Sequence, residues 1–293
     1  MKSNTADMVF EGLLRIADDN LILGHRTSEW CGHAPTLEED LALPNIALDL
    51  IGHAQTLYCL ACEINSRYKN EDQLAFLRLE HEYKNLLLVE QENGDFGNTV
   101  LRLFYFSTFM KYFWEKVKIK CCFKKLKEFS EKAFLETSYH SKYASQWVVT
   151  LGDGTDESNL KMSNAIENLE PFLGELFNND DFTEMSSQND FLPKPTSIFD
   201  SWKNEVEAIL QKGTEKAWDV LKDLTDPELP FLTLDDLGVI REIKRHDKNH
   251  VVTIAPTYIG CPASSVIEEK IASELKKIGI SPVSYTHLRA HET

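Results

Sequence analysis

No run of apolar residues in this 293-residue chain is long enough to span a bilayer. The nearest, VLRLFYFSTFMKYFWEKV from Val100, is interrupted by Arg102 and Lys111 and reads as an aromatic-rich core helix. MKSNTADMVF at the start has no apolar signal-peptide core, so the cytoplasm is the expected location. Positive charge is also scarce. The 31 Lys and Arg against 47 Asp and Glu leave a net charge of −16, which repels phosphate backbones and anionic lipid and argues against nucleic acid and membranes as partners. Six cysteines, at 31, 59, 62, 121, 122 and 261, make no disulfide framework in a chain of this size. Cys59 and Cys62 form a C-x-x-C inside a helical pattern with no second pair, and are read as buried structural thiols. A phosphate-binding glycine loop, a nucleophile signature and an internal repeat are all missing.

What is there is helix. Residues from about Met8 to Gly24 carry the first helical pattern. After the loop SEWCGHAP, Thr36 with Glu39 three residues on reads as a capping box opening a helix that runs to about Arg67. A third helix is expected over Asp72 to Gln91, ending where Gly94 and Gly97 break the pattern. The aromatic helix follows, then helices over about Lys124 to Leu151 and Glu157 to Asn178. The polar stretch NNDDFTEMSSQNDFLPKP reads as a linker or long surface loop, and a short helical pattern covers Ile198 to Leu210.

The texture changes after about Lys212. TEKAWDVLKDL predicts a helix, DPELP a turn, VIREIKR and HVVTIAPTYI two strands around HDKN, and GCP leads into the helix SSVIEEKIASELKKIG. That order describes a small α+β domain behind a mainly α one. The last ten residues, SYTHLRAHET, continue no pattern and read as a vector- or adaptor-derived tail outside the fold. The expected division is therefore 1–180 helical domain, 181–212 linker and remnant helical part, 213–283 small α+β domain, and 284–293 tail.

Three of the helical patterns place ionisable groups where a bundle buries its side chains. From Lys124 onward, positions 126, 129, 133, 136, 140, 143, 147 and 151 hold Leu, Phe, Ala, Glu, His, Tyr, Trp and Leu, so Glu136 and His140 interrupt an apolar stripe. Asn45, Asp49 and His53 stack at intervals of four, and Arg78, His81, Glu82 and Asn85 fall within two turns. Unpaired burial of such groups costs several kcal/mol, about 2–7 even for a neutral polar group, so they must meet each other, water or a metal. A di-iron carboxylate bundle draws a Glu from each of two helices and Glu-x-x-His from two others. Here His53 and His140 each follow their carboxylate, Asp49 or Glu136, one position later than that motif. The same displacement on both helices, with no third Glu-x-x-His, favours a buried salt-bridge and hydrogen-bond network. The alternative is a working dimetal centre on Asp49, His53, Glu82, Glu136 and His140.

The runs DDNLILGHRTSEWCGHAPTLEEDLALPNIALDLIGHAQTLY, NLLLVEQENGDFGNTVLR and SYHSKYASQWVVTLGDGTDES closely resemble the C subunit of the multicomponent phenylacetyl-CoA epoxidase, over roughly Met8 to Asn178. The resemblance implies a ferritin-like helical bundle that pairs with a catalytic, di-iron A subunit and holds no metal or cofactor itself. NADPH, flavin and iron–sulfur chemistry would reside in a reductase subunit. In that setting the lysine run KVKIKCCFKKLK (Lys116, Lys118, Lys120, Lys124, Lys125 and Lys127) reads as a solvated helix junction, with a dock for an acidic partner subunit or coenzyme A phosphates as the alternative.

DPELPFLTLDDLGVIREI and VVTIAPTYIGCPASSVIEEKI are similar to the D protein of the same pathway, one of the small domains linked to iron–sulfur and metallo-enzyme maturation. The matching positions are Asp226, Pro227, Glu228, Thr257, Gly260, Cys261 and Pro262. Cys261, at a strand end just before a helix, is the one cofactor-binding candidate, because a helix N-terminus favours thiolate. Two departures stand out. The C-like part lacks the Gly-rich turn and His-Thr-Glu helix usual past the linker, and the D-like part stops before its usual cysteine-rich end. The expected function is a structural subunit of the epoxidase fused to a truncated maturation domain. A di-iron oxygenase subunit and an iron–sulfur assembly factor are the rivals.

Overall fold

Four long amphipathic or apolar patterns in the first two-thirds of the chain become four long helices. The computed structural model describes residues 3–212, 221–227, 232–246, 249–254, 264–277 and 282–287. The helices are α1 (Ser3–Ser28), α2 (Leu37–Ile64), α3 (Glu71–Phe76), α4 (Leu87–Glu90), α5 (Phe96–Lys120), α6 (Lys124–Gly152), α7 (Asp156–Leu173), α8 (Asp181–Gln188) and α9 (Phe199–Lys212). Contacts divide the chain into two units: Met1–Gln146 with Asn168–Val206, and Trp147–Glu167 with Glu207–Thr293.

In the first unit α1 packs along α2, and Gly24 permits the approach: a Cβ there would lie 2.8 Å from Ile51 Cγ1. Thr36 is the N-cap of α2 as expected, but its hydroxyl bonds the Glu39 carboxylate instead of capping a backbone N–H. Helix α5 is the aromatic helix, and every residue from Gly97 to Met110 is buried, as an all-round apolar helix must be. Its two interrupting cations are neutralised differently. Lys111 meets Glu205 of α9 at 2.6 Å, whereas the buried Arg102 guanidinium binds the carbonyls of Gln91 and Glu92 and the Asn93 side chain. Burial, with the nearby Arg26 charge, lowers the Arg102 pKa to about 10.

Two expectations need correction here. The helix expected over Asp72 to Gln91 is broken into α3, a 3-10 turn at Glu80–Glu82, and α4. The cause lies on α1. Asp18 accepts the Lys84 N–H at 2.7 Å and an Arg78 N–H at 3.0 Å, and Asp19 accepts the Leu86 N–H at 2.7 Å. Backbone donors that a continuous helix bonds internally go to buried carboxylates instead. The polar stretch expected as a linker holds α8, opened by a reciprocal Asp180–Thr183 capping box with both contacts at 2.8 Å. Phe191 beyond it is 1% exposed, and a Cβ on Gly12 of α1 would lie 2.6 Å from its ring. Capping residues give this segment its loop-like composition, while Phe191 and Leu192 fasten it to the core.

In the second unit, β1 (Ile240–His246) and β2 (Asn249–Ile254) form the expected antiparallel hairpin, closing with His246 opposite Asn249. Helix α10 (Ser264–Lys277) then crosses over to β3 (Pro282–His287), which pairs parallel to β2. Ser284 to His287, left outside the fold in the sequence reading, thus belong to a strand, in register from Val251↔Ser284 to Ile254↔His287. Leu221, Leu234, Val252, Ile254, Ile267, Ile271 and Leu275 make the core of this unit. The first seven residues of the expected helix TEKAWDVLKDL, 214–220, lie outside the described residues.

Candidate functional site

Helix α2 carries Asp49 and His53 four residues apart, and α6 carries Glu136 and His140 at the same spacing. Four residues climb about 6 Å along a helix, so each helix offers an acid and an imidazole at matched heights. The two helices meet head to tail and the pairs cross. His53 Nε2 lies 2.7 Å from Glu136 Oε2, and His140 Nε2 lies 3.0 Å from Asp49 Oδ2. An ionised carboxylate has no proton to give, so each Nε2–H donates.

Both imidazoles are fully buried, while the Asp49 and Glu136 side chains keep 37% and 23% of their surface. The His53 ring stands edge-on to Phe129, which packs in the same way on Trp114 of α5. That apolar surround pushes the His53 pKa down, against the upward pull of Glu136. Donation from His140 holds the Asp49 carboxyl below its ordinary range. The second oxygen of Glu136 has Lys132 Nζ at 3.4 Å.

Glu82, the remaining member of the degenerate metal set, does not join them. It is exposed on the 3-10 turn, where its carboxylate accepts the Leu79 N–H at 2.7 Å. His81 is exposed beside it, and Asn45 is exposed on α2. The donor set assembled here is two carboxylates and two imidazoles from two helices, each imidazole Nε2 bonded to one carboxylate. A dimetal carboxylate centre draws on four helices, whereas the residues brought together here come from two. Among the described residues no group of three or more His, Cys, Asp or Glu is placed to hold a metal ion.

A second buried ionic cluster went unforeseen. Asp18 lies between Tyr58, whose hydroxyl donates at 2.5 Å, and the Arg78 guanidinium, and also takes the Lys84 N–H at 2.7 Å. Its neighbour Asp19 has the Leu86 N–H as its donor, and burial pushes its pKa well above the usual carboxylate value. Two adjacent aspartates inside the apolar pattern of α1 were the available signal. The cysteine expectation also changes. Cys59 is exposed and Cys62 half-buried, because their spacing faces them outward towards Glu71. Cys261 lies outside the described residues, as do Glu228, Thr257, Gly260 and Pro262. Asp226 is buried, its N–H donating to Leu232 O at 3.0 Å.

Comparison with known proteins decides the family. A profile described as "Phenylacetic acid catabolic protein" matches residues 1–219. The chain belongs to that family. The chain is 39% identical over 201 residues to the C subunit of the 1,2-phenylacetyl-CoA epoxidase of Escherichia coli (strain K12), covering 69% of the chain and 80% of the relative. An "Iron-sulfur cluster assembly protein" profile follows at residues 214–281. There it is 36% identical over 66 residues to the D subunit of a "Putative 1,2-phenylacetyl-CoA epoxidase" of the same organism, covering 22% of the chain and 40% of that relative. The layout is therefore a C-like bundle followed by a D-like segment, with a mainly α, ferritin-like fold in front of a small α+β unit.

Proposed function

We propose that this chain is a non-catalytic structural subunit of a phenylacetyl-CoA epoxidase complex, acting in aerobic phenylacetate catabolism in the cytoplasm and fused to a partial maturation domain. The observation that carries the reading is the crossed contact of His53 with Glu136 and His140 with Asp49. In a C-like bundle these groups bond one another, and the chemistry falls to an A-type partner that holds di-iron and substrate. A reductase subunit with NADPH, flavin and iron–sulfur centres supplies electrons. No helix among the described residues is long and apolar enough to cross a membrane, and the net charge of −16 disfavours nucleic acid.

Support for a protein partner comes from the outer faces of the same two helices. Leu41 and Leu48 on α2, and Leu135 and Tyr139 on α6, are each more than half exposed, Leu48 at 67% and Tyr139 at 57%. Large apolar side chains exposed on both helices suit a dock for another helical subunit. Co-expression with an A-type subunit tests the reading: the two should co-purify, and the isolated chain should carry far less than one iron per molecule. Failure to associate, or near-stoichiometric iron in the isolated chain, would overturn it.

The assembly-family match over residues 214–281 supports a second role for the D-like segment, in loading metal or iron–sulfur centres into partner proteins. Cys261→Ser separates the two roles. Loss of loading in partners with assembly of the complex unchanged supports the maturation role, and unchanged loading removes it.

A further inference from the structure

We infer that the first unit holds a binding pocket for a small organic phosphate, between the C-terminal end of α5 and the segment that follows α8. A cavity of about 350 Å³ lies there, within the range of small-molecule sites. Lys116, Lys120 and Lys194 line it together with Asp190, Phe191 and Leu192. Its wall is fixed by the backbone: the Cys122 N–H at the α5–α6 junction donates to Asp190 O at 2.7 Å, and the Phe191 N–H to Ser186 O at 3.0 Å. Asp190 makes that bend with φ at 51°, in the left-handed region.

Charge and apolar surface are arranged as such a ligand requires. Lys194 is paired with Glu184 at 2.5 Å, but Lys116 and Lys120 have no ion-pair partner among the described residues. Four residues apart on one helix, their Cβ atoms stand about 5–6 Å from each other, and like charges at that spacing repel. A phosphate dianion between them removes the repulsion and satisfies both ammonium groups. The negative end of the α5 dipole accounts for a cation in its last turn, but not for two unpaired lysines converging on a cavity in a chain of net charge −16. Ile119, 63% exposed, and Pro193 line the same cavity and give an apolar floor for a ring or short aliphatic group. An extended acidic peptide suits the site less well, since a concave pocket with an apolar floor favours a compact ligand.

Titration calorimetry of the full chain at low ionic strength, with phenyl phosphate and inorganic phosphate as probes, tests this. Phenyl phosphate should bind about tenfold or more tighter than inorganic phosphate, because its ring reaches the apolar floor. Lys116→Gln and Lys120→Gln should each weaken phenyl phosphate binding about tenfold, with thermal unfolding unchanged. Lys124→Gln, outside the cavity, should leave it unaltered. Absence of phenyl phosphate binding, an equal loss in Lys124→Gln, indifference to both cavity substitutions, or tighter binding of an oligoglutamate peptide would each overturn the assignment.

Discussion

His53 is wholly buried while the Glu136 carboxylate it bonds, 2.7 Å away on another helix, keeps about a quarter of its surface in solvent. The cost of burial thus falls on a group that can be neutral, and the charge stays where water and Lys132 reach it. The His140–Asp49 contact repeats the arrangement at 3.0 Å.

Removing the acceptor should therefore hurt more than neutralising it. Glu136→Ala leaves the His53 Nε2–H buried with nothing to bond, at a cost of about 1–3 kcal/mol. Glu136→Gln retains a carbonyl oxygen and should cost less than half as much. Chemical denaturation of both variants measures the difference, and equal losses would mean the contact contributes little.

Acid should destabilise the bundle in two stages. The His53 pKa is lowered in the fold, so below the ordinary value of 6.5 the unfolded chain binds the extra proton and stability falls with pH. Asp49 has a lowered pKa, so its contribution is complete above 3.8 and is lost as pH drops through its folded value. Unfolding midpoints measured from pH 8 to pH 3 should decline through both windows, and Asp49→Asn should flatten only the lower one.

Asp19 works in the opposite sense. Burial raises its pKa, so the folded chain binds the extra proton, and stability is lost as pH rises through the folded value. Asp19→Asn keeps an oxygen for the Leu86 N–H and never ionises. It should raise the melting midpoint at pH 7 by about 2–4 °C or more, with the gain vanishing near pH 4.

Gly12→Ala tests whether the segment after α8 belongs to the core. The added methyl would press on the Phe191 ring at 2.6 Å and on Leu192 and Phe182 at 3.0 Å. Overpacking of this kind costs about 1–3 kcal/mol, more than the helix propensity that alanine restores. A stabilised variant in thermal melts would mean the segment yields freely.

Leu48→Asp and Tyr139→Lys should cut co-purification with an A-type subunit at least tenfold while leaving the melting midpoint within about 2 °C, because both side chains already face solvent. A large drop in midpoint would show that they support the bundle instead of a partner.

The long helices, the aromatic core helix and the four-residue spacing of Asp49 with His53 and of Glu136 with His140 were readable in the sequence, because helical periodicity is local and survives in one dimension. The family resemblance was legible for the same reason, in unbroken runs of residues. Which acid meets which imidazole was not. That depended on α2 and α6 lying head to tail, 83 and 91 residues apart along the chain. The tertiary structure also decided that Asp72 to Gln91 would not be one helix, since Asp18 and Asp19 take its backbone donors from some 66 residues away. It likewise set Glu82 apart from the site, and turned an apparent linker into a covered segment of the core. In each case a contact between distant parts of the chain outweighed the preference of its neighbours.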